Sequence, residues 1–296
     1  MKNTIFTGAG VAIVTPMNAD GSINFDELGR LIDFNIDNGT DAIIICGTTG
    51  ESATMTDEEH IECIRYAVEK TAKRVPVVAG TGSNHTEYAV NLSKKAEELG
   101  ADALLVVTPY YNKTSQAGLV RHYTEIANAV SLPIIMYNVP SRTGVNIAPE
   151  TCAELAKLDN IAAVKEASGN ISQIASIAAL CGESLDIYSG NDDQIIPIMA
   201  LGGKGVISVL SNCMPFETHE ICRLCLENKY GEARDLAFKI HDFTKTLFCD
   251  VNPIPVKEAL NLMGFNAGPC RLPLIEMSEA KKKQLSDSMK AVGLIK

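Results

Sequence analysis

Short apolar segments recur along the chain and predict buried parallel strands. Eight of them follow one another at spacings that fit one strand, one helix and two loops. They are rich in valine and isoleucine and are apolar at consecutive positions, which is the pattern of strands covered on both faces. The predicted strands are residues 11–14, 42–46, 76–79, 103–107, 133–137, 161–165, 186–189 and 206–210.

Longer amphipathic segments between these runs predict helices. In residues 57–73, Ile61 and Ile64 fall on one face and charged residues on the other, and the segment starts with an acidic turn. Residues 87–99 and 119–130 have the same pattern. Alternating strands and helices predict an α/β protein, here a closed (β/α)8 TIM barrel. A doubly wound open sheet is the alternative, but no G-x-G-x-x-G sequence follows the first strand.

The chain continues well beyond the eighth predicted strand, and this region predicts a C-terminal helical extension. Residues 232–248, 254–263 and 278–292 each have the pattern of a helix, and prolines separate the first from the second. We expect residues 1–230 to form the barrel and residues 231–296 to form an extension packed on it.

Charge and hydropathy exclude several classes of protein. The formal net charge is −10 at pH 7, and the chain has no basic stripe, so we expect no nucleic-acid partner. The first residues lack the apolar run of a secretory signal, and no segment reaches the roughly 20 apolar residues of a membrane span. We therefore expect a cytoplasmic protein that does not associate with a membrane.

The nine cysteines are scattered and do not resemble a disulfide framework. Cys222 and Cys225 form a single C-x-x-C sequence, with His219 three residues before it. All three fall at helical spacing in an apolar segment, which favours buried helix cysteines over metal ligands. No flavin or nicotinamide signature is present either, so we expect neither a metal nor a cofactor.

Polar residues follow several predicted strands at their carboxyl ends, where barrels of this kind carry their chemistry. We expect these segments to converge at one mouth of the barrel. The segments are GTTGE (47–51), TPYYN (108–112), YNVPSRTG (137–144), KEASG (165–169) and SGNDD (189–193). The two aspartates of the last segment would repel a phosphate, so a phosphorylated substrate is not expected.

Lys165 is the strongest candidate for a catalytic residue, because it ends a run of buried apolar positions. Most lysines are solvated surface residues, but the end of a buried strand directs this amine to the barrel mouth. Partial desolvation lowers the pKa of a lysine, and a neutral amine can attack a ketone to form a Schiff base. The sequence therefore predicts Schiff-base chemistry.

Four other polar residues are candidates near Lys165. Tyr137 ends the neighbouring strand and could move protons, although it could also be an aromatic core residue. Thr48 and Thr49 lie in a glycine-flanked loop, where they could bind a carboxylate or relay a proton, or simply form a turn. Arg142 could grip a carboxylate through two hydrogen bonds, or face solvent.

The strand-end segments, together with NPIPVK at 252–257, resemble the dihydrodipicolinate synthase family, now called 4-hydroxy-tetrahydrodipicolinate synthases, over essentially the whole chain. The resemblance implies a lyase that condenses pyruvate with aspartate 4-semialdehyde in the diaminopimelate route to lysine. It also implies a homo-oligomer, usually a tetramer built from two tight dimers.

The resemblance also implies a role for each matching residue. Lys165 would form the imine with pyruvate, Tyr137 would donate and accept protons, and Thr48 would link Tyr137 in a relay to Tyr111 of a neighbouring subunit. Thr49 would hold the carboxylate of pyruvate, and Arg142 that of the semialdehyde. Gly190 and Ile207 would line the site through their backbones.

Members of this family are known to be inhibited by lysine at a dimer interface. The residues of this chain that match the lysine site are Ser52, Ala53, His60, Asn84 and Tyr110. Asp57 stands where histidine is common, and Tyr88 stands where a glutamate would pair with the ammonium of lysine. A buried ammonium needs a counter-charge, so we expect weak lysine inhibition or none.

Two rival functions fit part of the pattern. A sister aldolase, such as N-acetylneuraminate lyase or a sugar-acid aldolase, would share the lysine, the tyrosine and a similar loop. The Tyr110-Tyr111 pair and Arg142 favour the synthase, since an arginine suits a short substrate with its own carboxylate. A catalytically silent keto-acid sensor is a more remote alternative, but such a protein would not need Lys165 and Tyr137.

Overall fold

Eight parallel strands close into a barrel in a computed structural model that describes residues 4–296. Each strand pairs with its neighbours in sequence, and β1 pairs with β8. This closed barrel confirms the predicted TIM-barrel fold. The strands are β1 (Gly8–Ala12), β2 (Ala42–Ile45), β3 (Val77–Gly80), β4 (Ala103–Val107), β5 (Ile134–Asn138), β6 (Ile161–Glu166), β7 (Asp186–Ser189) and β8 (Gly205–Ser208).

Helices cover the outside of the barrel and continue after β8. Several begin with a side-chain cap; Thr56, for example, forms a reciprocal capping box with Glu59 before the second helix. The helices are α1 (Phe25–Asp37), α2 (Asp57–Thr71), α3 (Thr86–Glu98), α4 (Gln116–Ala129), α5 (Pro140–Thr143), α6 (Pro149–Leu155), α7 (Ile171–Cys181), α8 (Ile195–Ala200), α9 (Pro215–Leu226), α10 (Tyr230–Lys239), α11 (His241–Thr246), α12 (Ile254–Leu262) and α13 (Glu279–Ala291).

The first and last strands start earlier than the apolar runs predicted. Gly8 pairs with Gly205, and a Cβ atom on Gly205 would lie 1.8 Å from the carbonyl oxygen of Gly8. Residue 205 must therefore lack a side chain for the two strands to pair at this end of the barrel. Because glycine carries no apolar side chain, hydrophobicity alone did not reveal the strand ends.

Alternate residues of each strand point to two separate apolar layers. The inner layer fills the barrel and includes Ala12, Ile44 and Tyr188. The ring of Tyr188 stacks on Phe6 at a centroid distance of 4.4 Å, and its hydroxyl donates to the carbonyl oxygen of Phe6 at 2.6 Å. The outer layer lies between strands and helices. Chemistry is therefore confined to the mouth at the carboxyl ends of the strands.

The C-terminal helices differ from the prediction at one point. The predicted single helix over residues 232–248 is wrong, because α10 and α11 are separate helices that meet at Ile240. Ile240 is buried and has a non-helical backbone, and no glycine or proline marks the break in the sequence. The other two helices lie within a residue of the predicted bounds. The division of the chain at residue 230 stays a prediction.

Two further expectations concern the cysteines and the membrane. Cys222 and Cys225 are both buried on α9, so their expected place on a buried helix face is confirmed. Among residues 4–296, no cluster of three or more His, Cys, Asp or Glu side chains is arranged to hold a metal ion. Over the same residues, every helix is too short or too polar to cross a bilayer.

Candidate active site

The loops after the strands surround a cavity of about 190 Å³ at the barrel mouth. Six of the residues predicted from the sequence line it, and these are Thr48, Thr49, Tyr137, Arg142, Lys165 and Gly190. The structure therefore brings together residues that lie up to 142 positions apart, from Thr48 to Gly190.

Lys165 and Tyr137 face each other across neighbouring strands. They are paired in the register between β5 and β6, so their side chains emerge at the same height. The Nζ atom of Lys165 lies 4.3 Å from the centroid of the Tyr137 ring. Lys165 is only 6% exposed, and its neighbour Glu166 points to the other side of the strand. The amine is thus held inside the cavity, against an aromatic face.

Burial determines the electrostatics of this pair. Burial is the main reason that the pKa of Lys165 falls to about 8; nearby Asp192 opposes this change, and Arg142 adds to it. Burial also raises the pKa of Tyr137, while Arg142 and a hydrogen bond from Thr48 act in the opposite direction. Both groups are therefore held closer to their uncharged forms, which suits an amine that attacks and a phenol that gives up and regains a proton.

Asn252 joins two of the predicted substrate-binding residues. Its side-chain Nδ2 donates to the hydroxyl of Thr49 at 2.9 Å, and its backbone oxygen accepts from the guanidinium of Arg142 at 3.3 Å. Asn252 also lines the cavity. Thr49 and Arg142 come from different loops, so the C-terminal segment fixes their relative position.

A buried ion pair holds the loop that carries Thr48 and Thr49. The Nζ atom of Lys257 donates to Glu51 at 2.8 Å and to the carbonyl oxygens of Thr15 and Pro269 at 3.0 and 2.6 Å. The side chains of Lys257 and Glu51 are each 2% exposed. The other carboxylate oxygen of Glu51 accepts from the backbone N–H of Arg271 at 2.8 Å. This network anchors the end of the GTTGE loop to the C-terminal helices.

Two predicted residues do not line the cavity. Ile207 is buried in the barrel interior, in the same apolar layer as Tyr137. Tyr111 is 91% exposed and has a φ of 68°, in the left-handed region that is uncommon for a tyrosine. Its hydroxyl is thus not brought to the site of its own chain. The roles predicted for both residues stay predictions.

The residues that match the lysine site lie near the starts of α2 and α3. Ser52 and Ala53 form a short 3-10 turn before α2. His60 is buried, and its Nε2 lies 2.8 Å from the carbonyl oxygen of Gly80; burial lowers its pKa. The other members, Asn84, Tyr88 and Tyr110, are partly buried or exposed.

The two residues that depart from the lysine-site pattern contact each other. The hydroxyl of Tyr88 donates to the Asp57 carboxylate at 2.6 Å. Burial, the bond to Asp57 and nearby Tyr110 raise the pKa of Tyr88 to about 12. A carboxylate is thus present beside Tyr88, but it is exposed and already accepts a hydrogen bond.

Sequence reasoning assigned no role to Asn252 or Lys257, although both belong to the NPIPVK segment. Each contacts a residue more than 200 positions earlier in the chain. The clue in the sequence was Asn252-Pro253, a dipeptide that favours a turn, followed by a lysine inside an apolar helix. A lysine at such a position is buried only if it has a partner.

Comparisons with known proteins agree over the full length. The model of the dihydrodipicolinate synthetase family matches residues 5–292. A 4-hydroxy-tetrahydrodipicolinate synthase of Lachnoclostridium phytofermentans is 60% identical over 292 residues, which are 98% of this chain and 99% of that protein. The crystal structure of dihydrodipicolinate synthase from Aquifex aeolicus is 47% identical, with a TM-score of 0.96 over 98% of this chain and 99% of that one.

A further solved structure carries a ligand. The chloride-inhibited dihydrodipicolinate synthase from Acinetobacter baumannii, complexed with pyruvate, is 42% identical, with a TM-score of 0.97 over 99% of this chain and 100% of that one. These full-length similarities confirm the resemblance predicted from the motifs. The chain belongs to the dihydrodipicolinate synthetase family.

Proposed function

We propose that this protein is a 4-hydroxy-tetrahydrodipicolinate synthase that condenses pyruvate with aspartate 4-semialdehyde through an imine on Lys165. The observation that carries the proposal is the buried amine of Lys165, which faces the Tyr137 ring at 4.3 Å inside the cavity. With a pKa of about 8, about a tenth of this amine is neutral at pH 7, roughly 300 times more than for an ordinary lysine.

The reaction starts when neutral Lys165 attacks the ketone carbon of pyruvate. The ketone oxygen takes up two protons and leaves as water, which gives a protonated imine. Loss of a methyl proton forms an enamine, whose carbon attacks the aldehyde carbon of the second substrate while the aldehyde oxygen takes up a proton. The amino group of the semialdehyde then displaces Lys165 from the imine carbon and closes the ring. The sum is one product and one water.

The other site residues have roles that fit their positions. Tyr137 moves the protons, because it is beside the amine and receives a hydrogen bond from Thr48. Thr49 holds the carboxylate of pyruvate, and Arg142 holds that of the semialdehyde. Gly190 lines the cavity and contributes backbone groups. The resemblance gives Ile207 the same role, although its side chain lies in the apolar interior of the barrel.

The size of the cavity supports short substrates. A volume of about 190 Å³ lies below the roughly 300–1,000 Å³ of sites for larger ligands. A nine-carbon sugar acid would fit it poorly, and the similarity to named synthases also supports the synthase over a sister aldolase.

A homo-oligomer, with two tight dimers forming a tetramer, completes the proposal. Tyr111 is 91% exposed on an isolated chain, although its proposed part in the relay requires it to reach a site. Tyr111 from a neighbouring subunit would complete the link between Thr48 and solvent. Sedimentation at several protein concentrations tests the assembly, and a single-chain species with full activity would contradict it.

We also propose that the protein acts in the cytoplasm, where its pathway would run.

The catalytic proposal is tested by a coupled assay and by trapping. With pyruvate, the semialdehyde and the next reductase of the pathway, we expect oxidation of the reduced nicotinamide. Borohydride added with pyruvate should reduce the imine and add the mass of the keto acid less one oxygen atom to Lys165, and Lys165→Ala should remove the label. Equal labelling of Lys165→Ala would contradict the imine. Labelling without turnover would mean that the aldehyde is a different one.

A further inference from the structure

Asn252 lies where the C-terminal segment reaches the active site, just before α12. It is 7% exposed and lines the same cavity as Lys165. Its side-chain Nδ2 donates to the hydroxyl oxygen of Thr49 at 2.9 Å. Its backbone oxygen accepts from the guanidinium of Arg142 at 3.3 Å. One residue therefore contacts both of the groups proposed to hold the carboxylates of the substrates, but through different atoms.

The contact with Asn252 determines what the hydroxyl of Thr49 can do. A hydroxyl has one hydrogen to donate and two lone pairs that can accept. Because Asn252 donates, it occupies a lone pair of Thr49, and the hydrogen of Thr49 must point elsewhere. Among residues 4–296 the hydroxyl has no second partner, although Thr49 is only 3% exposed and lines the cavity. The hydrogen is thus left for an acceptor that enters the cavity.

A carboxylate is the acceptor that this arrangement suits. An ionised carboxylate only accepts hydrogen bonds, so Thr49 binds it only while the hydroxyl has a hydrogen to give. If the amide of Asn252 were turned over, its oxygen would take that hydrogen, and a lone pair of Thr49 would face the cavity. An amide that donates to Thr49 also polarises the hydroxyl and strengthens its bond to an anion. The direction of one hydrogen bond thus decides whether Thr49 attracts or repels a carboxylate.

Fold stability does not account for the amide group of Asn252. Its Oδ1 atom is buried and has no hydrogen-bond partner in the part of the chain that the structure describes. A buried acceptor without a donor destabilises a fold, and an apolar side chain of similar size would avoid that cost. The amide is therefore useful for the one contact that it does make, which is the bond to Thr49.

We infer that Asn252 is a positioning residue that sets the hydroxyl of Thr49 as a hydrogen-bond donor to the carboxylate of pyruvate. Its side chain acts on pyruvate through Thr49, whereas Arg142 is held by the backbone oxygen, which any residue at this position supplies. The side chain of Asn252 therefore serves the first substrate and not the second. This inference rests on the proposed function, in which Thr49 binds pyruvate and Lys165 forms the imine.

The test is a double-variant cycle on the binding of pyruvate. The full-length protein is titrated with pyruvate alone, the imine is reduced with borohydride, and the label on Lys165 gives the half-saturating pyruvate concentration. Thr49→Val should raise that concentration about 30-fold, as expected for a lost hydrogen bond to a charged group, and Asn252→Leu should raise it about fivefold. The double variant should match Thr49→Val within about twofold, because no hydroxyl is left for Asn252 to orient.

The second substrate distinguishes positioning of Thr49 from a general loosening of the site. In the coupled assay, the KM for the semialdehyde should change less than about twofold in Asn252→Leu, because the variant keeps the backbone oxygen that holds Arg142. Asn261→Leu is the matched control, since Asn261 on α12 also bonds another segment, at Gly268, but is not part of the cavity wall. Its half-saturating pyruvate concentration should equal that of the unchanged protein.

Asn252→Asp is the second variant, for the case that Asn252→Leu does not fold, because it keeps nearly the same shape. Its carboxylate accepts the hydrogen of Thr49, so adding Thr49→Val should change pyruvate binding by less than about twofold. Repulsion between the new charge and pyruvate would instead leave the full effect of Thr49→Val in place.

The outcomes separate this inference from the proposed function. If the unchanged protein gives no label on Lys165, both fail. If it is labelled but Thr49→Val leaves pyruvate binding unchanged, or its effect and that of an Asn252 variant simply multiply, the inference alone fails. Equal rises in half-saturating pyruvate and in the KM for the semialdehyde would also overturn the inference, because they would show that Asn252 only holds the fold.

Discussion

The buried contact between Lys257 and Glu51 gives the sharpest test of how the C-terminal helices support the active site. Lys257→Met keeps the apolar stem but removes the ammonium. Glu51 would then retain only the backbone N–H of Arg271, and its Oε1 atom would be left buried without a donor. Breaking one side of a buried ion pair costs about 3–5 kcal/mol, because the remaining charge is not compensated.

That free energy corresponds to a clear change in thermal unfolding. For a chain of this size, about 2 °C of melting temperature is lost per kcal/mol, so we expect Lys257→Met to melt about 6–10 °C lower. The GTTGE loop should also loosen, and the KM for pyruvate should rise severalfold because Thr49 lies in that loop. Differential scanning calorimetry at one fixed protein concentration and steady-state kinetics measure the two effects.

Two further variants make the reasoning refutable. Glu51→Gln combined with Lys257→Met removes the stranded charge, so the double variant should recover at least half of the lost melting temperature. Lys283→Met removes an exposed partner from the Lys283–Asp287 pair on α13 and should melt like the unchanged protein. A melting temperature of Lys257→Met within about 2 °C of the unchanged protein would refute the argument, as would additive losses in the double variant.

Three other predictions follow from the site and its surroundings. Tyr137→Phe should lower kcat by roughly 100-fold or more while Lys165 still takes the borohydride label, and near-normal turnover would remove Tyr137 from proton transfer. Lysine should inhibit the unchanged protein weakly or not at all, and Tyr88→Glu should increase the inhibition. Inhibition of the unchanged protein by micromolar lysine in the coupled assay would contradict the first expectation. His219 lies 2.8 Å from Asp41, which raises its pKa above 6.5, so the pair stabilises the fold fully below pH 6.5 and loses that effect as the pH rises through the raised pKa. The melting difference between the unchanged protein and His219→Gln should therefore shrink from pH 6 to pH 8.5, and a constant difference would show that the ion pair contributes nothing.

The barrel could be predicted from the sequence because strands buried on both faces leave continuous apolar runs. The strand ends were less certain where glycine replaces an apolar residue, as at Gly8 and Gly205. The helix break at Ile240 was missed because a buried isoleucine continues the apolar pattern, and only its packing shows that the backbone turns there. Hydropathy patterns thus predicted which segments form buried strands and helices. They did not predict every point at which an element begins, ends or breaks.

The site was predictable where strand ends determine it and not where distant segments meet. Lys165 and Tyr137 were found because parallel strands bring their carboxyl ends to one mouth. The apolar helix around Lys257 indicated that this lysine needs a partner, but not which one, since Glu51 is 206 positions away. Asp192 was noted only as a charge that would repel phosphate, and nothing in its sequence context distinguished it from exposed Asp193.

The contacts of the GTTGE loop also bear on how the protein is made. A chain emerging from the ribosome can complete all eight strands once Ser208 has left it. At that point Thr49 would still lack Asn252, and Glu51 would still lack Lys257 and Arg271. Lys165, the proposed Schiff-base residue, would then lie in a barrel whose GTTGE loop is not yet held in place. Asn252, Lys257 and Arg271 all come from the final quarter of the chain. A truncated or stalled product therefore lacks the contacts that complete the site. Thr49 and Arg142 would thus be held in their final positions only on chains that have been synthesised nearly to the end.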